Sequence, residues 1–425
     1  MKDTLEEAVK RYALPFESDA DFAPLLEAIG DAKIVLLGEA SHGTSEFYKV
    51  RAKLSKLLIE QKGFSAIAVE GDWPSAQHVN KFIKGYGKQD LTVHEVLSAF
   101  SRWPTWMWAN EEIAAFISWL QVHNRLKAPE QKVGFYGIDL YSLWESIDEI
   151  IRYLTETNPT GADLELAKKA FSCFEPFNGM PEHYAISTAH FSQACIEEVS
   201  NLLASIRSHA KHYDDEQESE LNLKVNALVA KNAEDYYRAM LQDNAHSWNI
   251  RDEHMVEALH EIRNHHGEDT KIIVWEHNTH IGDARATTMQ DDGMLNVGQL
   301  LREQHKKEEV FAIGFGTHRG TVIAAEKWGL PFESIDVPPA RQHSWEDLLH
   351  KAGAYDKLYV FNDTNRDVFS GWVGHRAIGV VYNPEFEAFG NYVPSQIGKR
   401  YDAFIYLDQT KALTPIQVKE VVNDI

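Results

Sequence analysis

Cysteine is nearly absent: the 425 residues contain two, Cys173 and Cys195. They form no C-x-x-C pair and no zinc-finger spacing, which argues against a disulfide framework and reads them as ordinary reduced thiols. Basic residues are also scarce, 42 Lys and Arg against 64 Asp and Glu, for a formal charge of −22. That field repels a polyanion, and no local basic patch breaks it, so nucleic acid is disfavoured as a partner. No apolar run approaches the ~20 residues of a membrane span. The opening stretch "MKDTLEEAVKRYALPF" mixes charges throughout and lacks the apolar centre of a secretory signal, so a cytoplasmic protein is expected. Low-complexity tracts, internal repeats and Gly/Ser linkers are missing too. A single domain over 1–425 is expected, with no sharp internal boundary.

What is present is a series of short apolar runs rich in Val, Ile and aromatics. They are "KIVLLG" (33–38), "SAIAVE" (65–70), "KVGFYGID" (132–139), "KIIVWE" (271–276), "EVFAIGFG" (309–316), "KLYVFND" (357–363), "IGVVYN" (378–383) and "DAFIYL" (402–407). Each reads as a buried strand. Amphipathic stretches at 44–62 and 110–127 suit crossover helices. The alternation predicts an α/β fold with a mainly parallel, mixed sheet flanked by helices. From 142 to 267 the strand signal vanishes and apolar residues recur at helical spacing, as in "LNLKVNALVAKNAEDYYRAML". This segment is expected to be a helical insertion or cap between two parts of the sheet.

In open α/β sheets, ligands bind beyond the carboxyl ends of the strands. Here the first run delivers Glu39 and His42. The second delivers Glu70, Asp72 and Trp73, the third Asp139, and "IIVWEHNTHIGD" delivers Glu276, His277, His280 and Asp283. One acid after a strand is usually a helix cap or a solvated loop residue. Four strand ends carrying ionisable groups point to a site. Histidine suits proton transfer at neutral pH. A His42 close to a helix start would be kept neutral by the positive helix end. Glu39 or Glu70 could then orient the imidazole and stabilise it once protonated, so that it activates water.

Other chemistries find less support. No G-x-S-x-G elbow is present, since "GTSEF" and "GFSAI" lack the closing glycine. No H-E-x-x-H occurs, although Glu39, His42, Glu70, His277 and His280 are all possible zinc or manganese ligands. The acid and imidazole set works without a metal, and no cofactor is required. "HEIRNHH" (260–266) reads as an exposed helix end. "GFGTHRG" (314–320) misses the dinucleotide spacing and reads as a tight turn after a strand. The run "FSRWPTWMWANEE" (100–112) places Trp103 and Trp106 around Pro104. Such rings, with Asp72, Trp73 and Asp139, could wall a pocket for a bulky organic substrate.

The blocks "LLGEASHGTSEFYKVRAKL", "AIAVEGDWPSAQHVN", "RWPTWMW", "GFYGIDLYS", "WEHNTHIGD", "IGFGT" and "GHRAIGVVYNPEFE" together resemble the erythromycin esterase family, in its order, from about 33 to 405. That family also includes proteins named for succinoglycan biosynthesis. The resemblance implies a carboxylic ester hydrolase that opens a macrolide lactone with an activated water, and so a possible link to antibiotic resistance. It implies that His42 is the base, with Glu39, Glu70, Arg51, His277 and His280 around the reacting carbonyl. Arg51 enters through the resemblance as an oxyanion or carboxylate partner, since nine residues along one continuous helix would turn it away from His42. Two alternatives stay open: a metal-dependent hydrolase or transferase using the same Glu and His side chains, and a protein that only binds haem or another large ring.

Overall fold

Apolar runs become strands wherever both faces of the backbone can be covered. The computed structural model describes residues 4–418 apart from 87–89, 158–160, 173, 178–183, 185, 187–195, 210–217 and 241–242. Both cysteines therefore lie outside the described residues. The strands are β1 (Leu14–Pro15), β2 (Ile34–Leu37), β3 (Ala66–Asp72), β4 (Gly134–Asp139), β5 (Ile272–Trp275), β6 (Val310–Ala325), β7 (Phe332–Val337), β8 (Lys357–Val360), β9 (Val373–Arg376), β10 (Tyr392–Ser395) and β11 (Ala403–Thr410). Among the described residues no helix is long and apolar enough to cross a membrane. The chain sorts into two units, one built from 1–67, 82–134 and 271–421, the other from 68–81 and 135–270.

In the first unit the strand order is β1-β8-β11-β6-β2-β5, with β7 on β6. β2 lies parallel to both β5 and β6, and β11 is parallel to β6. β8, β1 and β7 join antiparallel, which makes the sheet mixed. Val35, Leu36 and Leu37 of β2 have no exposed surface, as a central strand covered on both faces requires. Each such side chain contributes about 1.5–3 kcal/mol. The helices Ser45–Lys62 and Glu111–Asn124 fall where the periodicity predicts them and pack on each other.

Two expectations are corrected. The segment 314–320 is not a turn: β6 runs straight through it to Ala325. Parallel pairing with β11 as far as Gly320, and antiparallel pairing with β7 from Gly320 onward, supply partners along the second half. The run 378–383 is not a strand. Ile378 bridges to Ser41 and Val381 to Ala325, two separate partners, so no ladder can grow; β9 forms just before it instead.

The second unit holds β4, most of β3 and a set of helices. The largest are Leu143–Thr157, Ala162–Phe171, Ile196–His209, Ser219–Met240 and Asn244–His266. Along Ser219–Met240, Leu223, Ala227, Ala230 and Tyr237 follow the helical repeat into a shared apolar core. Between 143 and 266 the described residues contain no strand.

One glycine fixes the loop after β2. The Gly43 carbonyl accepts from the Ile323 and Leu413 N–H groups, each at 3.0 Å. A Cβ there would lie 1.9 Å from the Ile323 carbonyl oxygen, which is backbone and cannot rotate aside. Gly43→Ala is expected to destabilise the fold by about 1–3 kcal/mol. The check is a lower urea midpoint at unchanged slope; an unchanged midpoint would show that the loop yields.

Candidate active site

Strand register brings two chain segments to one level. Leu37 of β2 lies opposite Trp275 of β5, so Gly38–His42 and Glu276–His280 leave the sheet side by side. The Asn278 N–H donates to the Glu39 carbonyl at 2.9 Å. The Asn278 amide also pairs with Phe315 as a strand residue would, accepting from its N–H at 3.1 Å and donating to its carbonyl at 2.7 Å. Gly38 is needed beside it, because a Cβ would lie 2.1 Å from Asn278 Oδ1. Below Asn278, His375 Nε2 faces its amide at 3.3 Å while Nδ1–H donates to Glu346 at 2.6 Å. Burial holds His375 below the ordinary imidazole value, even against the pull of Glu346.

The helix Ser45–Lys62 has Thr44 as its N-cap, so His42 precedes it by two residues. Two turns along that helix, Arg51 reaches back to the same loop. His42 Nδ1 lies 2.8 Å from Glu39 Oε1, and Arg51 Nη2 lies 2.5 Å from Glu39 Oε2. A carboxylate only accepts, so Nδ1 carries the ring proton and the lone pair of His42 sits on Nε2. All three groups are buried: Arg51 is 0%, Glu39 2% and His42 8% exposed. The Arg51 guanidinium lies over the rings of Tyr48 and Trp275, at 4.3 and 4.7 Å. His277 caps the short helix Asn278–Ile281, its Nδ1 accepting the Thr279 N–H at 3.3 Å with the Thr279 hydroxyl 2.8 Å from the same atom; with Nδ1 as the acceptor of both, the ring proton is assigned to Nε2. The His42 and His277 rings lie 4.9 Å apart. His280 is buried at the end of that short helix. Four sequence candidates, His42, Glu39, Arg51 and His277, thus meet in one cluster of the first unit.

In the second unit, Glu70 and Asp139 share one cation. Arg251 grips Asp139 with both forks, at 3.0 and 2.7 Å, and donates to Glu70 at 2.7 Å. Burial pushes the Asp139 carboxyl up, but the charge and hydrogen bonds of Arg251 outweigh it and hold the group below the usual carboxylate range. One turn on, burial pushes His254 down to about 4, against the attraction of Asp139. Asp72 is buried, and Trp73 is buried with its indole N–H on Asn222 at 2.7 Å. Trp106 is fully buried, whereas Trp103 is half-buried against the exposed Trp328, ring centroids 4.6 Å apart. Arg251, His254, Asn278 and His375 were not foreseen. Only Arg251 left a signal: two buried strand-end carboxylates call for a buried cation.

With this geometry established, a model of the family described as erythromycin esterase matches residues 59–410. The match begins beyond Arg51, so the Glu39, His42 and Arg51 set stands on its own geometry. An Escherichia coli erythromycin esterase type II is 24% identical over 397 residues, 86% of this chain and 90% of its own. A succinoglycan biosynthesis protein of known structure superposes with a TM-score of 0.77 at 19% identity, over 96% of this chain and 97% of its own. A mutant erythromycin esterase in its open conformation does so with a TM-score of 0.67 at 17% identity, over 96% and 97%. The superpositions establish a shared fold.

Two stability tests follow from the buried groups. Arg51→Met leaves the buried Glu39 carboxylate without its cation, and a loss of about 3–5 kcal/mol is expected. Adding Glu39→Gln should recover much of it; a strictly additive double variant would sever the two residues. The second test is pH. Unfolded, His254 binds its proton at the ordinary 6.5; folded, only near 4. Its contribution, up to about 3 kcal/mol, is complete above that ordinary value and drains away as pH falls toward the folded one. Asp139, held low by Arg251, changes stability in the same direction. Urea midpoints should drop steadily below neutrality, less steeply in His254→Gln. A flat wild-type profile would contradict the burial of a neutral imidazole.

Proposed function

The chain belongs to the erythromycin esterase family, and from that premise we propose that it hydrolyses an ester or lactone of a bulky, macrolide-like organic substrate with water activated by His42. The observation that carries the reading is the 2.8 Å contact of His42 Nδ1 with Glu39, whose other oxygen is held by Arg51. It fixes the tautomer with a lone pair on Nε2, the arrangement a general base needs.

In this reading Nε2 takes a proton from water as the oxygen attacks the substrate carbonyl. Glu39 stabilises the imidazolium that forms. His277, with its proton on Nε2, donates to the carbonyl oxygen as negative charge develops there, and His280 assists in binding it. The tetrahedral intermediate then collapses. The bond to the alkoxy oxygen breaks, His42 returns the proton to that oxygen, and acid and alcohol leave. Arg51 acts through Glu39 rather than on the carbonyl, because its guanidinium is buried against two rings and directed at the carboxylate.

The test is hydrolysis of a panel of macrolides and simple aryl esters by metal-stripped wild-type protein and by His42→Ala. Ring opening that falls about 10²–10⁴-fold in the variant supports both reaction and base. Activity on aryl esters alone keeps the chemistry and rejects macrolides as substrates. Undiminished activity in His42→Ala, or activity that returns only with added metal, overturns the mechanism.

A further inference from the structure

In the second unit, away from Arg251 and its carboxylates, the helix Asn244–His266 ends in two adjacent imidazoles, His265 and His266. The helix Ser219–Met240 packs beside it, and Glu218 stands immediately before its first residue. One ligand atom from each of Glu218, His265 and His266 lies within 4.8 Å of the others. His266 Nε2 and Glu218 Oε1 are 3.4 Å apart. Two ligands on a tetrahedral ion with bonds of about 2.0–2.1 Å are separated by about 3.3–3.4 Å, so this pair already stands at ligand spacing. The two imidazoles lie nearly perpendicular, at 87° with centroids 4.8 Å apart, and approach from different directions.

The carboxylate is also aimed. Glu218 has φ 69°, in the left-handed region that L side chains seldom occupy. Asn80 donates to its Oε2 at 2.6 Å, and the Tyr136 hydroxyl donates to Oε1 at 2.9 Å. That hydroxyl also lies 2.6 Å from His266 Nε2. A carboxylate whose oxygens are each held by a neutral donor resembles the outer support that metal ligands receive.

We propose that Glu218, His265 and His266 bind one divalent ion of the zinc class, with water in the fourth position. Two imidazoles and one carboxylate favour zinc over magnesium or calcium. To bind, His266 gives up the Nε2–H contact it makes to the Tyr136 oxygen and moves its ring proton to Nδ1, so that an Nε2 lone pair faces the ion while Tyr136 stays on Glu218. Both imidazoles must be unprotonated, so affinity falls as pH drops below the ordinary imidazole range. The ion ties the end of one long helix to the start of its neighbour. The tied helix is the one that carries Arg251, so occupancy stiffens the support of Glu70 and Asp139. The site shares no residue with the Glu39, His42, Glu70, His277 and His280 set that the sequence offers as metal ligands.

The experiment is calorimetric titration of the metal-stripped full chain with Zn²⁺, alongside the His265→Ala/His266→Ala double variant, Glu218→Gln and His42→Ala. Wild type and His42→Ala are expected to take up one ion with equal affinity. The double variant should bind it at least about tenfold more weakly, and Glu218→Gln, which keeps the shape of the side chain, about 10–100-fold more weakly. Zn²⁺ should raise the melting temperature of wild type and leave that of the double variant unmoved. Equal melting temperatures without metal confirm that the variants fold. Binding unchanged in the double variant, or lost in His42→Ala, overturns the proposal.

Discussion

The buried Arg51–Glu39–His42 chain is the constraint on which the first unit's polar cluster depends. A carboxylate 2% exposed is costly to ionise unless a cation meets it, and Arg51 does so with a guanidinium that is itself fully buried. Displacing either group breaks the 2.5 Å contact between them and leaves a buried charge uncompensated. The loop from Gly38 to Thr44 is accordingly fixed along its length. Asn278 holds the Glu39 carbonyl, Ile378 donates to Ala40, and Ile323 and Leu413 donate to Gly43. Gly38 and Gly43 sit where any side chain would strike Asn278 or the Ile323 backbone. The orientation of one imidazole thus rests on packing around two glycines.

The second unit solves the same problem with a different cation. Arg251 reaches from a helix to Asp139 and Glu70, which stand on two strands, and its own charge is strengthened by them against the effect of burial. Its guanidinium also lies over Tyr141, at 5.0 Å. In the first unit the carboxylate directly follows a strand and in the second both carboxylates stand on strands, while in each the arginine comes from a helix and has an aromatic face beside it. The arrangement follows from geometry: side chains at a strand end are short of reach, whereas arginine spans the gap from a helix while its stem stays apolar.

Much of the sheet was legible because central strands must be apolar on both faces, and "KIVLLG", "KIIVWE" and "DAFIYL" are. The second half of β6 was hidden: Thr317, His318 and Arg319 are polar, and its strand state is imposed by β11 and β7, distant in sequence. The reverse holds for "IGVVYN", apolar enough for a strand but offered no continuous partner. Glu39, His42 and His277 were readable because they directly follow strands. Arg51 entered only through family resemblance; the structure removes the spacing objection by starting the helix at Ser45, after His42. Arg251 could be demanded but not chosen, since nothing local marks it among 42 basic residues. Asn278 and His375 act through contacts between segments nearly a hundred residues apart, which no local pattern encodes.

The opposite tautomers of His42 and His277 are the last consequence of this packing. Glu39 accepts from Nδ1 of His42, whereas Nδ1 of His277 itself accepts from the Thr279 backbone. Two imidazoles 4.9 Å apart therefore present unlike atoms, a lone pair on one Nε2 and a proton on the other. Protonating both would set two positive charges side by side in a buried setting, which like-charge repulsion opposes. The proposed reaction needs this asymmetry, since a base and a hydrogen-bond donor must coexist at one pH. It is set by a carboxylate under one ring and a helix cap under the other, so it stands before any substrate arrives.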